Sequence, residues 1–295
     1  MKDKSKGWSI LPYKGLYPAL SFIVIFVVLP IIYAVFVSFH KYHYGQLTPG
    51  FTAANYLEIF SSPLISPRFY DSLLVTLHLS VVAIPLVVVI SLAIALVLDK
   101  DYWGNNLIKV SLLVPYAIPA SVNSAMWSWL YDANFGFVNY ILKTLGITSE
   151  YITFLGNTDT ALYAIVFAYV WKFVPYTTFM ILAGLKQIPE NISEAASMDC
   201  GSLRSFWYIT LPMLKPIMMV VLALQTIFVM TRHFSLVYVL TGGGPAGATQ
   251  TLAWHIYEAS FQSLHFGRGT ALALIMSTVM LGFIYFYFMA LGSES

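Results

Sequence analysis

Two sites stand out inside long, mostly apolar runs: Lys172, and the adjacent pair Arg232-His233. A charge near the middle of a membrane helix costs about 2.5–3.5 kcal/mol on insertion scales, so such groups are candidates for function. An ammonium or an imidazole can hydrogen-bond hydroxyl groups, and a buried ammonium is readily offset by an anion. The bland alternative is that Lys172 and Arg232 snorkel outward while His233 is a satisfied packing histidine. Covalent chemistry is poorly supplied. No Ser/His pair, Asp dyad or His-Glu-x-x-His motif is placed to converge, which makes an intramembrane enzyme remote. A Gly-x-x-x-x-Gly-Lys-Ser/Thr phosphate loop is missing, so ATP hydrolysis is not expected of this chain. His40 and His43 look like a metal pair but lack a third ligand and read as structural. Cys200 is the sole cysteine and cannot close an internal disulfide.

The elements that hold these groups are membrane helices. Of 295 residues, 59% are hydrophobic and 9% charged, too little polar surface to cover a soluble domain of this size. The formal charge of +2 is scattered at the ends of apolar runs, with no basic face for nucleic acid. Six stretches are long enough to span: Leu16–Phe39, Ser72–Leu98, Ile108–Tyr131, Ala161–Leu185, Met213–Leu240 and Gly269–Leu291. The first is longer than a signal-peptide core and no cleavage site follows it, so it reads as a retained span after a cytoplasmic tail at 1–15. An even count puts both termini on one side. If that side is the cytoplasm, nine lysines and arginines lie inside against Lys41, Arg68, Lys143 and Arg268 outside, as the positive-inside rule asks. Prolines at 30, 85, 115, 119 and 175 each remove a backbone hydrogen bond, and bent helices leave cavities. The outer loops carry turn signals at Thr48-Pro49-Gly50 and Gly242-Gly243-Gly244-Pro245. Asp and Glu cluster at span ends and in loops, which argues against the competing reading of an ion-coupled secondary transporter.

One polar segment, 186–212, separates two spans on the basic side. Asn191 or Ser193 can cap a short helix through Glu194-Ala195-Ala196-Ser197-Met198, whose alanines allow close approach of a partner. Gly201 is the residue able to adopt a left-handed conformation and turn the chain. A second helical stretch, Leu203 to Tyr208, exposes Phe206, Trp207 and Tyr208 before Pro212 restarts a membrane helix. Small residues, a turn and an aromatic edge suggest a plug for a socket, although a helix lying on lipid would read similarly.

The segment resembles the EAA loop of permease subunits of binding-protein-dependent ATP-binding-cassette importers, in particular the sugar permeases related to the maltose transporter. Trp171-Lys172-Phe173-Val174-Pro175-Tyr176, Ala183 to Pro189, Glu194-Ala195-Ala196 with Asp199, Ile209-Thr210-Leu211-Pro212 and Leu240 to Pro245 follow that family's order. Tyr257 to Phe261 and Phe266-Gly267 fit its last outer loop. In the family a glycine usually stands where this chain has Cys200, with Gly201 one step later.

The resemblance implies an all-α integral membrane protein with six transmembrane helices and the type I, MetI-like permease fold. It implies that Glu194, Ala195, Ala196, Asp199 and Gly201 couple the chain to an ATPase. Carried over position by position, it points to Tyr169, Lys172, Phe173 and Tyr176 in the fourth span and Thr226, Met230 and His233 in the fifth as contacts to a sugar or related polyol. Aromatic faces would stack on such a solute while polar groups meet its hydroxyls. Lys172 also admits an acidic or phosphorylated sugar. Gly242, Gly243, Gly244 and Pro245 would meet an external binding protein. The expected partners are a second permease chain, two ATPase subunits that bind ATP and Mg, a sugar-binding protein and the lipid bilayer, with no cofactor on this chain. The expected place is the plasma membrane of a bacterium or archaeon.

Overall fold

The protein is described from a computed structural model in which residues 16–43, 46–189, 192 and 201–292 are defined. The coupling residues Glu194, Ala195, Ala196 and Asp199 lie outside the described residues. Among the described residues, five helices are long and apolar enough to cross a membrane: α1 (Tyr17–Ser38), α3 (Ser66–Leu98), α7 (Thr158–Leu185), the pair α9 (Lys215–Thr231) and α10 (Phe234–Leu240), and α12 (Phe266–Gly292). The third expected span differs. It is not one helix over Ile108–Tyr131 but two, α4 (Asn105–Ala117) and α5 (Ala120–Leu130), bent by 93° at the break. Counting that pair as one span gives six.

The break has a local cause. A residue before proline is driven out of the helical region; Ile118, preceding Pro119, has ψ 129° and ends α4, while Pro119 at ψ 148° starts α5. Pro115 stays inside α4, and Pro85 and Pro175 stay inside α3 and α7. In α1 a wide turn at Val24–Val28 precedes Pro30, with the Leu29 N–H reaching the Val24 carbonyl. This is the wider turn by which a helix absorbs an irregularity.

The chain gathers into two compact units. In the first, residues 1–66 and 256–274, α1 leads into a hairpin of β1 (His40–His43) and β2 (Gln46–Phe51), then α2 (Ala54–Ser61). Thr48-Pro49-Gly50 therefore lies within a strand and not in a turn, and Gly50 alone takes the positive φ of 117° this irregular strand needs. Asn55 Nδ2 donates to the Ser38 and His40 carbonyls at 2.8 and 2.9 Å, tying the hairpin to the end of α1. His40 Nδ1 lies 2.7 Å from the Phe36 carbonyl, which gives that ring a structural partner. Glu58 accepts from Lys41 at 3.1 Å and from Arg268 at 2.9 Å.

The second unit, residues 67–255 and 275–295, is organised around α7, whose side chains from Ala161 to Leu185 are mostly buried. Apolar side chains of α3, α5, α9 and α10 form one core with it, including Leu79, Trp127, Ile165, Val229 and Val237. Lipid tails are as apolar as these residues, so the helices associate through close packing and hydrogen bonds. Gly184 lets α7 and α9 come close: a Cβ there would stand 2.6 Å from Ile217 Cγ2. Tyr131 adds a hydroxyl bond to the Ala164 carbonyl at 3.1 Å, and Ser91 Oγ one to the Val174 carbonyl at 3.0 Å. Between α5 and α7 runs α6 (Phe137–Thr144); between α7 and α9 the described chain resumes as α8 (202–213).

Gly201 corrects an expectation. Its φ is not in the left-handed region, and its position turns the chain by starting α8: its carbonyl accepts from the Arg204 and Ser205 N–H groups at 2.9 and 3.1 Å. Glycine at this capping place needs no positive φ. Trp207 and Tyr208 are exposed on α8 as expected, and Leu203 with them, whereas Phe206 is half-buried and packs edge-on against Trp207.

Candidate functional site

The α4–α5 break creates a demand and a space. The last carbonyls of a helix have no intrahelical donor. Lys172, projecting from α7 and 8% exposed, meets part of that demand by donating Nζ to the carbonyls of Ile118 and, at 3.5 Å, Tyr116. It does not snorkel outward; it caps the break. Beside it opens a cavity of about 600 Å³ lined by Tyr116, Asn123, Lys172, Phe173, Arg232 and Phe234 among others. That volume is in the range of sites that enclose a small solute. Polar groups and ring faces share the wall, an arrangement able to bind a solute with both polar and apolar faces.

Of the other predicted contacts, Phe173 alone lines this space. Tyr176 stacks on Tyr116, ring centroids 5.2 Å apart and 20° from parallel. Phe173 packs between Tyr169 at 4.4 Å and Phe228 at 5.5 Å. Tyr169, Thr226, Met230 and His233 are fully buried and do not line the cavity. Instead they knit helices: the Tyr169 hydroxyl donates to Gln225 Oε1 at 2.9 Å, and Gln225 Nε2 donates to Thr177 Oγ1 at 2.6 Å. Thr226 Oγ1 donates to the Leu222 carbonyl at 2.9 Å and lies 3.3 Å from the Tyr287 hydroxyl. His233 sits between α9 and α10, its Nε2 2.9 Å from Thr251 Oγ1.

Sequence reasoning left Tyr116, Asn123 and Gln225 out of the set. Asn123 and Gln225 are polar residues inside spanning runs and carry the same signal as Lys172, only weaker because they bear no charge. Tyr116 carries no such signal. Arg232 was visible as a charge, and its guanidinium lies 4.1 Å from the Phe228 ring centre.

The glycine turn after α10 is internally fixed. Gly242 and Gly243 have φ of 58° and 84°, and a Cβ on Gly243 would stand 2.8 Å from Trp254 Nε1. Thr249 Oγ1 donates to the Gly244 carbonyl at 2.6 Å and lies 2.7 Å from Thr241 Oγ1. Among the described residues no three His, Cys, Asp or Glu side chains gather as a metal site.

Comparisons with known proteins agree with this architecture. A family described as binding-protein-dependent transport system inner membrane component matches residues 59–292. The trehalose/maltose transport system permease protein MalF of Thermococcus litoralis is 34% identical over 282 residues, covering 94% of this chain and 92% of that one. The sulfoquinovosyl glycerol transport system permease protein SmoG of Agrobacterium fabrum is 33% identical over 276 residues, covering 92% and 86%. A chain of a bacterial ABC transporter involved in the import of the acidic polysaccharide alginate superposes with a TM-score of 0.82 at 19% identity, over 97% of this chain and 96% of that one. That likeness establishes the shared all-α permease fold. By the family match, the chain belongs to the inner membrane components of binding-protein-dependent transport systems, and is a transport subunit and not an enzyme.

Proposed function

We propose that this chain is one of two permease subunits of an ATP-driven importer and that a sugar, oligosaccharide or related polyol passes through the cavity at the α4–α5 break. The observation that carries the reading is the cavity itself, lined by aromatic residues together with Asn123, Lys172 and Arg232, in a chain of this family. Lys172 and Phe173 contact the solute and Tyr176 holds Tyr116 in place, while Tyr169, Thr226, Met230 and His233 form the layer behind. Two ATPase subunits close on ATP and push on the segment 186–212 through Glu194, Ala195, Ala196, Asp199 and Gly201. Rigid-body motion of the helices then exposes the cavity to one side and the other in turn. A binding protein delivers the solute outside, near Gly242 to Pro245. Both termini lie in the cytoplasm of a bacterial or archaeal cell, and ATP and Mg are held by the ATPases alone. The trehalose/maltose and sulfoquinovosyl glycerol permeases named above supply the solute class for this reading.

The test is uptake by the purified transporter in proteoliposomes. Losing a stacking ring worth about 0.5–1.5 kcal/mol corresponds to about two- to tenfold in affinity. Phe173→Ala should therefore lower uptake by about that factor at low solute, with the subunits still co-purifying. Unchanged uptake would remove the cavity from the path.

A further inference from the structure

Three features of the same cavity are positive: two side chains and a helix N-terminus. Lys172 and Arg232 are both in its wall, and none of the lining residues is Asp or Glu. The Lys172 ammonium is met by neutral carbonyls of Tyr116 and Ile118, which orient it without cancelling its charge. The first turn of α5 also faces the space: Ile118, Pro119 and Ala120 line it, and Pro119 provides no side-chain cap. The first intrahelical bond of α5 is from Asn123 N–H to the Pro119 carbonyl, so the N–H groups of residues 120–122 precede it. Uncapped N–H groups and the positive end of the helix dipole favour an anion.

Asn123 supplies an independent pointer. It is fully buried, lines the cavity, and neither atom of its carboxamide has a hydrogen-bond partner among the described residues. A buried polar group without a partner is costly, and a solute presenting both acceptor and hydroxyl groups would satisfy it.

We infer that the cavity accepts an anionic saccharide, its carboxylate, phosphate or sulfonate seated among the α5 N-terminus, Asn123, Lys172 and Arg232, its ring against Phe173. This rests on the reading of the cavity as the solute path and narrows that reading to a charge class. A low-dielectric wall bearing one sign of charge concentrates the field inside it, so a neutral sugar would take hydrogen bonds from Lys172 and Arg232 but none of the charge pairing.

The test reads the potential in the assembled transporter. Thr231 lines the cavity and is exposed, so Thr231→Cys in a Cys200→Ser background places one thiol there. Its modification rates by the anionic 2-sulfonatoethyl and the cationic 2-(trimethylammonium)ethyl methanethiosulfonates are compared with those of a free thiol. Focusing of this kind changes encounter rates by tenfold or more, so the anionic reagent should be favoured by about tenfold, and Lys172→Met or Arg232→Gln should each reduce the bias. Arg232→Gln keeps the test valid if Lys172→Met fails to assemble. Protection is then measured with glucuronate and with glucose. Stronger slowing by glucuronate is the expected result. Equal rates for the two reagents, or equal slowing by both sugars, would overturn the anionic preference while leaving the cavity as a sugar path. No slowing by either sugar would remove the path, and this inference with it.

Discussion

The Tyr169 hydroxyl donates to Gln225 Oε1 at 2.9 Å, joining the fourth and fifth spans through two side chains that are each fully buried. Gln225 passes the connection on to Thr177, so one carboxamide is satisfied on both sides by the neighbouring helix. In an apolar surround this pairing fixes the register of α7 against α9. Measured interhelical hydrogen bonds of this kind contribute about 0.6–2 kcal/mol.

Tyr169→Phe should therefore lower stability by about 1–2 kcal/mol, because it leaves the Gln225 oxygen buried and unpaired. The check is the thermal unfolding midpoint of the purified transporter alongside its half-saturating solute concentration. The midpoint is expected to fall with the half-saturation unchanged. A shift in half-saturation alone would place the hydroxyl on the solute.

Gly184→Val should destabilise the same interface by about 1–3 kcal/mol through overpacking, since its Cβ would meet Ile217 Cγ2 at 2.6 Å. Ile217→Ala opens that space, so the double variant should recover much of the loss. Additive losses in the two single variants and their combination would show that the helices do not touch there.

Why these contacts escaped a reading of the sequence is physical. Span positions follow from apolar length, and five of the six expected stretches are found within a few residues of their expected ends. The third was legible only in part: Pro115 and Pro119 announced a bend, yet Pro115 is carried inside α4 and Pro119 breaks the chain by 93°. Which proline breaks a helix depends on what replaces the lost backbone bonds, here the ammonium of Lys172, 53 residues downstream of Pro119. Lys172 was conspicuous because a charge in a span is rare; its carbonyl partners were not, because they carry no side-chain signature. Tyr169, Thr226 and His233 were read by resemblance as solute contacts, and the distinction between facing a cavity and facing a neighbouring helix is tertiary.

The Glu58 cluster offers a pH signature. Burial pushes the Glu58 carboxyl up, but the hydrogen bonds from Arg268 and Lys41 outweigh it and hold the group below the ordinary glutamate range. A depressed carboxylate contributes stability that is present above its unfolded value of about 4.3 and is lost as pH falls through its lower folded value. Wild-type protein should thus lose more stability below about pH 4 than Glu58→Gln does. Solvent reaches this cluster, so the difference should stay within about 1 kcal/mol. Parallel midpoint curves for the two proteins would mean that the three side chains do not interact in the folded state.

The most direct measurement is ATP-dependent uptake. The chain is purified with whatever accompanies it, reconstituted in proteoliposomes with the binding protein outside, and supplied with ATP and Mg within. The expected result is that an ATPase and a second permease co-purify, that radiolabelled solute accumulates only with ATP, and that Ala195→Trp abolishes accumulation while ATP hydrolysis persists or the ATPase is released. Accumulation by this chain alone, driven by a proton or sodium gradient with no ATPase present, would contradict it.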